Sequence, residues 1–318
     1  MKNGRRSNSI GGVAMLLGAS MIWGVSFAAQ SAGMEYVGPF TFTVVRSLIA
    51  ALGLGICALA FDRLGLSPKG GDRKRLWRGG ILLGVILFAG TNLQQIGIQY
   101  TSVGKAGFIT SLYILFVPAF GLLIGRRAHP MLWVCVLLAS VGLYFLSIQG
   151  DFSIGKGDLL VLGCALVYAV HILVIDHYAP FVDVVRLNCI QFAVTGLLSI
   201  GPMALYEEPS AGAILQAWLP LLYAGLLAGC CSYTMQVFAQ RSVEPTTASL
   251  LLSPEAMFSA LAGWMLLGQT LSSRELLGCA FVFIAVVCSQ LPWRRIFGGR
   301  AADGAPALRP EEANAPEA

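Results

Sequence analysis

Charged side chains are scarce in this sequence of 318 residues. They make up 12% of the chain, roughly half the share that is typical of soluble domains. Hydrophobic residues make up 56%, and the mean hydropathy is +0.74. The few charges are clustered, so that long uncharged runs separate them. This scarcity excludes an ordinary soluble domain and predicts an integral membrane protein.

The uncharged runs have the length of membrane spans. A helix needs about 20 mostly apolar residues to cross a bilayer. The first run follows three basic residues in the manner of a secretory signal, but it is long enough to cross the membrane itself, and nine runs follow it. We therefore predict an all-α polytopic membrane protein with ten transmembrane helices. The runs lie at roughly 10–31, 39–61, 79–99, 103–124, 130–148, 158–175, 185–205, 213–238, 246–267 and 275–292.

Cofactor and metal motifs are also lacking. The three histidines do not cluster, and the eight cysteines all lie in apolar runs without a C-x-x-C pair, so we expect no metal site and no disulfide framework. The stretch "GDFSIGKGD" (150–158) contains G-x-x-x-x-G-K, but Gly157 stands where a phosphate-binding loop has Ser or Thr. We expect no cofactor.

Basic residues are unevenly distributed between the loops. If the N-terminus is cytoplasmic, most of the Lys and Arg residues fall on the cytoplasmic side, as the positive-inside rule requires. The net charge of +5 therefore reflects topology and does not point to nucleic acid. We expect a plasma (inner) membrane protein with both termini cytoplasmic. Residues 1–9 would form a short N-terminal segment, and the Ala-, Pro- and Glu-rich residues 293–318 a disordered tail.

The two halves of the chain resemble each other. "LLIGRRAHPMLW" (122–133) aligns with "MLLGQTLSSREL" (265–276), and a similar displacement aligns Trp23 with Tyr168 and Arg46 with Gln191. We infer two five-helix repeats, at 10–149 and 150–292. Because five is odd, the second repeat enters the membrane from the opposite side. Inverted repeats of this kind are typical of secondary transporters, with the substrate site where the halves meet.

Several stretches carry a resemblance to a known family: "WGVSFAAQ" (23–30), "PFTFTVVR" (39–46), "YTSVGKAGFITSLYILFVP" (100–118) and "SPEAMFSALAGWMLLG" (253–268). The chain resembles ten-helix members of the drug/metabolite transporter superfamily with two EamA-type repeats. The resemblance implies export or exchange of small polar metabolites or amphipathic drugs. One departure is that Arg126 and Gln269 stand where the family often has a glutamate.

Polar residues recur at helical spacing within the spans. Each set has two interpretations: hydrogen bonds between helices, or the wall of a shared polar cavity. Because several spans carry such a face, we favour the cavity. The predicted substrate path consists of Trp23, Ser26, Arg46, Asn92, Gln95, Tyr113, Tyr168, His171, Gln191, Tyr233, Gln236 and Glu255.

Three ionisable residues in these spans have open roles. Arg46 either extends to the outer headgroups or lines the cavity and binds a carboxylate. His171 and Glu255 are candidates for coupling to protons, although a single histidine can equally be a hydrogen-bonded core residue. Pro118 and Pro254 interrupt backbone hydrogen bonding, and each is either a hinge or a static kink.

We therefore predict a secondary transporter that exports or exchanges small polar or amphipathic metabolites, such as amino acids or drugs, by alternating access. Its partners would be a small-molecule substrate, the lipid bilayer and protons as coupling ion, and the chain would be a monomer or homodimer. The alternative is a membrane-embedded enzyme such as a lipid or prenyl-group transferase. That activity requires acidic metal-binding clusters, and Asp176 and Asp183 are too isolated to form one. A receptor or assembly factor would need a larger exposed domain.

Overall fold

The computed structural model describes residues 10–65, 72–126, 130–147, 155–267 and 272–291, and this part of the chain is helical without strands. The expected termini, 1–9 and 293–318, lie outside the described residues. The all-α fold class is confirmed. The helices are α1 Ile10–Gly33, α2 Pro39–Arg63, α3 Arg73–Ile98, α4 Val103–Ser111, α5 Tyr113–Leu123, α6 Pro130–Ser147, α7 Lys156–Tyr178, α8 Val184–Tyr206, α9 Ala211–Gln216, α10 Trp218–Leu222, α11 Tyr233–Ala239, α12 Pro245–Leu252, α13 Glu255–Leu267 and α14 Ser273–Gln290. A 3₁₀ turn, Ala179–Phe181, and a π-helix, Tyr223–Ser232, complete the set.

Eight helical stretches are long and apolar enough to cross a bilayer. They correspond to the expected spans 1–4 and 6–9. The expected fifth and tenth spans correspond to α6 and α14, in which the apolar stretches among the described residues are Pro130–Phe145 and Leu276–Gln290. Three spans contain more than one helical segment: the fourth is α4 and α5, the eighth is α10, the π-helix and α11, and the ninth is α12 and α13.

Helix ends follow local sequence signals. The side chains of Asp72, Ser102 and Asp183 cap the first turns of α3, α4 and α8 by accepting backbone N–H bonds. Gly65 and Gly125 follow α2 and α5 with φ values of +68° and +78°, a left-handed conformation that glycine adopts without strain. Short polar connections thus join long apolar helices.

The contacts between spans repeat when the two halves are exchanged. The second span packs on the seventh and the fifth on the tenth. The contact between the third and sixth spans is matched by the contact between the eighth and first spans. The contact between the first and ninth spans is matched by the contact between the sixth and fourth spans. Each span is thus matched by the span five places further along. Since each half has five spans, the halves run in opposite directions through the membrane, as the inverted-repeat prediction requires.

Small residues allow close helix packing in both halves. A Cβ on Gly84 of α3 would lie 2.8 Å from the backbone oxygen of Gln191 on α8, and one on Gly225 of the π-helix would lie 3.0 Å from that of Arg46 on α2. Both glycines belong to Gly-x-x-x-Gly patterns, which favour close helix contact. The third and eighth spans therefore approach the α2–α8 pair at backbone distance.

Two carboxylates hold the ends of the α2–α8 pair, one at each membrane edge. At the end of α2, both Asp62 oxygens accept from Arg186 Nη2 at 2.6 Å. At the end of α8, Glu207 accepts from the backbone N–H of Phe40 and Thr41 at 2.8 and 2.7 Å, and from the Thr41 hydroxyl at 2.6 Å. Asp62 and Glu207 occupy equivalent positions in the repeats, as do Thr41 and Arg186. We call these contacts the Asp62 clamp and the Glu207 clamp.

Candidate functional site

A cavity lies between the two halves. Every span except the fifth and the tenth contributes residues to its wall. All but three of the residues predicted for the substrate path contribute to it. Those in the wall are Trp23, Ser26, Arg46, Tyr113, Tyr168, His171, Tyr233, Gln236 and Glu255.

Several wall residues are equivalent under the repeat. Trp23 and Tyr168 are about 145 positions apart, and the same displacement relates Ser26 to His171. Both pairs line the cavity. Two further equivalent pairs also line it: Phe27 with Ile172, and Thr91 with Gln236. The cavity therefore lies across the pseudo-two-fold axis, where inverted-repeat transporters bind their substrates.

Arg46 lies in the cavity wall, within the protein interior. Its side chain is only 9% exposed, and Nη1 donates to Gln30 Oε1 at 3.2 Å. Nη2 is buried and has no hydrogen-bond partner among the described residues. The guanidinium also lies 5.8 Å from the Phe42 ring centroid. The buried cation thus retains hydrogen-bonding capacity for an anionic group.

Glu255 is the first residue of α13, directly after the interruption of the ninth span. It is 3% exposed, and its Oε1 accepts from Ser111 Oγ at 3.3 Å. Tyr113 lies beside the same carboxyl group. None of the ion pairs between described residues includes Glu255. The cavity therefore holds a carboxyl group without a basic partner from the described part of the protein.

The interruptions of the fourth and ninth spans meet beside this carboxyl group. Ser111, at the end of α4, donates to the backbone oxygen of Ser253 at 3.4 Å as well as to Glu255. Pro254 lies at the interruption of the ninth span, whereas Pro118 lies within α5, after the interruption of the fourth span at Leu112. Broken helices of the two halves thus form one side of the cavity.

Aromatic rings form another part of the wall. The Tyr233 ring lies 4.8, 5.1 and 5.9 Å from the rings of Trp23, Phe192 and His171, in edge-to-face arrangements. Trp23 Nε1 donates to the backbone oxygen of Ala228 at 3.1 Å. Ala228 lies in the π-helix, and segments of this kind are frequent at functional sites. The indole N–H is therefore already bonded, and the ring offers mainly apolar surface to a ligand.

A hydrogen-bonded chain lies behind His171. His171 Nε2 is 3.0 Å from Gln191 Oε1, and Gln191 Nε2 donates to Asn188 Oδ1 at 2.5 Å. Asn188 in turn donates to Thr234 Oγ1 at 3.4 Å. Gln191 was predicted for the substrate path but is not part of the wall. Gln191 instead contacts His171, which is part of the wall.

The other two predicted residues outside the wall are Asn92 and Gln95, both on α3. Asn92 donates to Ser199 Oγ at 3.0 Å and to the backbone oxygen of Phe88 at 2.8 Å, whereas Gln95 is fully buried. The neighbouring face of α3 forms the wall instead. Polar wall residues outside the predicted substrate path are Gln30, Thr91, Gln94 and Thr110. Thr91 and Gln94 also have helical spacing, and this was the signal that could have identified them.

Metal ligands do not cluster in the described ranges, where no group of three or more His, Cys, Asp or Glu side chains is placed to hold an ion. The chemistry that the cavity offers consists of hydrogen bonding, two ionisable groups of opposite charge and aromatic surface. Such a site can bind and release a small molecule.

Comparison with known proteins gives two matches to one family. The EamA-like transporter family matches residues 10–148 and again residues 155–290. A protein of Archaeoglobus fulgidus, named an uncharacterized transporter, is 30% identical over 273 residues, which cover 86% of this chain and 83% of that protein. The threonine/homoserine exporter RhtA of Salmonella typhimurium is 27% identical over 222 residues, covering 66% of this chain and 72% of the exporter.

One solved crystal structure has the same fold. It covers 90% of this chain and 98% of its own, with a TM-score of 0.73 and 19% sequence identity. At this identity the likeness concerns the fold alone.

Proposed function

The chain belongs to the EamA-like transporter family, and on that premise we propose that it is a secondary transporter which exports or exchanges small amphipathic molecules by alternating access. The observation that carries the proposal is the central cavity, because it joins the two halves and holds a cation and a carboxyl group that form no ion pair with any described residue. The named relatives are transporters, which favours transport over the alternative of a lipid or prenyl-group transferase.

The two ionisable groups suit a zwitterion. The free capacity of the Arg46 guanidinium would bind the substrate carboxylate, and Glu255 would bind the ammonium group. The ring cluster around Tyr233 would contact the apolar part of the molecule. The exporter relative is named for threonine and homoserine, which are molecules of this class. We therefore propose amino acids or similar amphiphiles as substrates.

Glu255 would also couple transport to protons. An ionised carboxylate buried without a basic partner is unfavourable, so the empty site would hold the proton form. An arriving substrate ammonium would displace this proton, which would leave by the side from which the substrate came. His171 faces the same cavity and would assist the transfer. Substrate and proton would thus cross in opposite directions.

Orientation and assembly are part of the proposal. The surplus of basic residues on one side favours cytoplasmic termini in the plasma (inner) membrane. The chain would be a monomer or a homodimer.

The test is flux into proteoliposomes that contain the full chain. A panel of labelled amino acids, nucleosides and cationic dyes is supplied with and without a pH gradient. We expect amino acid flux that depends on the gradient in the wild type and is lost in Arg46→Ala. Arg75→Ala is the control, because Arg75 lies at the exposed end of α3, paired with Asp72. Undiminished flux in Arg46→Ala would refute the assigned role, and no flux of any panel member would refute the transporter proposal.

A further inference from the structure

One buried amide has no hydrogen bond in this conformation. Gln95 lies near the end of α3 and is 0% exposed. Neither its Nε2 nor its Oε1 has a hydrogen-bond partner among the described residues. A buried polar group without a partner is destabilising. Because Gln95 is not part of the cavity wall, a bound substrate would not satisfy it.

The equivalent residue of the second half is bonded. Gln240 follows Gln95 by about 145 positions, the displacement that also relates Trp23 to Tyr168. It is likewise 0% exposed, at the end of α11. Its Nε2 donates to the backbone oxygen of Ile172 on α7 at 2.9 Å, and so joins the eighth span to the sixth. Two equivalent amides therefore have different environments.

The first half contains a matching acceptor. The residue equivalent to Ile172 is Phe27 of α1, and both are buried cavity-wall residues. A helical carbonyl oxygen has a second lone pair that can accept from a side chain, as Ile172 does here. In the first half, the bond equivalent to that of Gln240 would run from Gln95 to the Phe27 oxygen. It would join the third span to the first.

The halves also differ in helix geometry. The eighth span contains the π-helix Tyr223–Ser232, whereas the equivalent third span is one α-helix, Arg73–Ile98. The two equivalent spans are therefore not in the same conformation. In inverted-repeat transporters, the two membrane-facing states arise when one repeat moves against the other.

We propose that Gln95 and Gln240 form an alternating pair, in which each amide is hydrogen-bonded in only one of the two membrane-facing states. In the conformation seen here, Gln240 holds the eighth span to the sixth. In the opposite state the halves exchange their arrangements, Gln95 bonds to the Phe27 oxygen, and Gln240 releases Ile172. This inference rests on the proposed alternating access, and it assigns the device that balances its two states.

The two states can be measured without a substrate. Glu35 and Gln99 are exposed residues next to the ends of α1 and α3, and Pro180 and Glu244 are their exposed equivalents beyond α7 and α11. Nitroxide labels on each pair, placed in the full chain with its eight cysteines replaced, report the opening of one membrane face each by pulsed electron paramagnetic resonance. Because this readout needs no flux, it is independent of substrate identity, and failure of the transport assay would not affect it.

The decisive variants are Gln95→Met and Gln240→Met, which keep an unbranched side chain but remove the amide. Loss of one net hydrogen bond changes a two-state ratio about fivefold. We expect Gln240→Met to shift the label distances towards the opposite state and Gln95→Met to shift them towards the present one. The double variant should return to near the wild-type ratio. Leucine replaces methionine at either position if that variant does not fold.

Shifts in the same direction, or no shift in Gln240→Met, would overturn the proposal. Either result would mean that the amides stabilise the fold equally in both states or contribute nothing to their balance. Opposite shifts that cancel in the double variant would support it, since a purely structural role does not produce them.

Discussion

Replacement of Arg46 by methionine removes the buried guanidinium and leaves an unbranched apolar side chain in the cavity wall. Two effects on stability oppose each other. Loss of the Nη1 bond strands Gln30 Oε1, which costs about 1–3 kcal/mol. Removal of a buried cation whose Nη2 has no partner among the described residues recovers an amount of the same order. We therefore expect the melting temperature to stay within about 5 °C of the wild type.

Binding should change far more than stability. If Arg46 holds the substrate carboxylate, removal of this charged partner costs about 2–5 kcal/mol, which weakens affinity from roughly 30-fold to more than 1000-fold. Calorimetric binding of the amino acid identified by the flux panel gives the affinity, and intrinsic tryptophan fluorescence on heating gives the melting temperature. Arg46→Lys is the matched control, because it keeps the charge but not the planar donor group. Its affinity should be intermediate.

The two readouts separate a binding role from a structural one. A strongly lowered melting temperature with unchanged affinity would refute the reasoning. It would mean that the bond to Gln30 holds the first and second spans together and that the substrate binds elsewhere.

Three further predictions concern other parts of the structure. Glu207→Gln should lower the free energy of unfolding by about 1–2 kcal/mol because it weakens the charge-assisted bonds to the first turn of α2. Asp62→Asn should lower it by less than about 1 kcal/mol because its ion pair is exposed. Thermal unfolding of the two variants side by side checks this order. Gly84→Ala should reduce the yield of folded protein because the new Cβ would lie 2.8 Å from the α8 backbone. Gly11→Ala should leave the yield unchanged because its Cβ would have no atom within 4 Å. Size-exclusion profiles in detergent distinguish the two variants. Glu255→Gln should leave residual exchange of labelled for unlabelled substrate but abolish the response to a pH gradient, and a persisting gradient response would contradict the coupling role.

The sequence predicted the spans because hydropathy alone determines them. Twenty apolar residues in a row can satisfy their backbone in a bilayer only as a helix, and the odd number of spans in each repeat determines the inversion. The expected fifth and tenth spans correspond to α6 Pro130–Ser147 and α14 Ser273–Gln290, whose described bounds lie within a few residues of those predicted. The boundaries depend on local turns, which hydropathy does not resolve.

The cavity residues were predicted separately for each span, and whether a predicted residue lines the cavity depends on how its helix is rotated about its axis. On α1, Trp23 and Ser26 lie on the cavity side as expected. On α3, the predicted face of Asn92 and Gln95 is buried against other helices, while Thr91 and Gln94 line the cavity. Both faces have helical spacing and both are polar. Only packing against the sixth and seventh spans distinguishes them.

Two features had no sequence signal. The π-helix "YAGLLAGCCS" has the composition of an ordinary apolar helix, and it packs against the first and second spans. The bonds of Glu207 to Phe40 and Thr41 join residues that are far apart in the chain. Such a contact follows from the folded arrangement of two helices and not from any local pattern.

The hydrogen bonds of the Asp62 clamp and of the Glu207 clamp are formed at the same time. A gate that opens on one membrane face while its counterpart shuts on the other would show one contact made and one broken. Here Asp62 and Glu207 each hold their partner, so the antiparallel α2–α8 pair is fastened at both ends like a strut. In the proposed alternating access, the remaining spans would pivot about this strut, and Arg46, which lies on α2, would keep its place while they move.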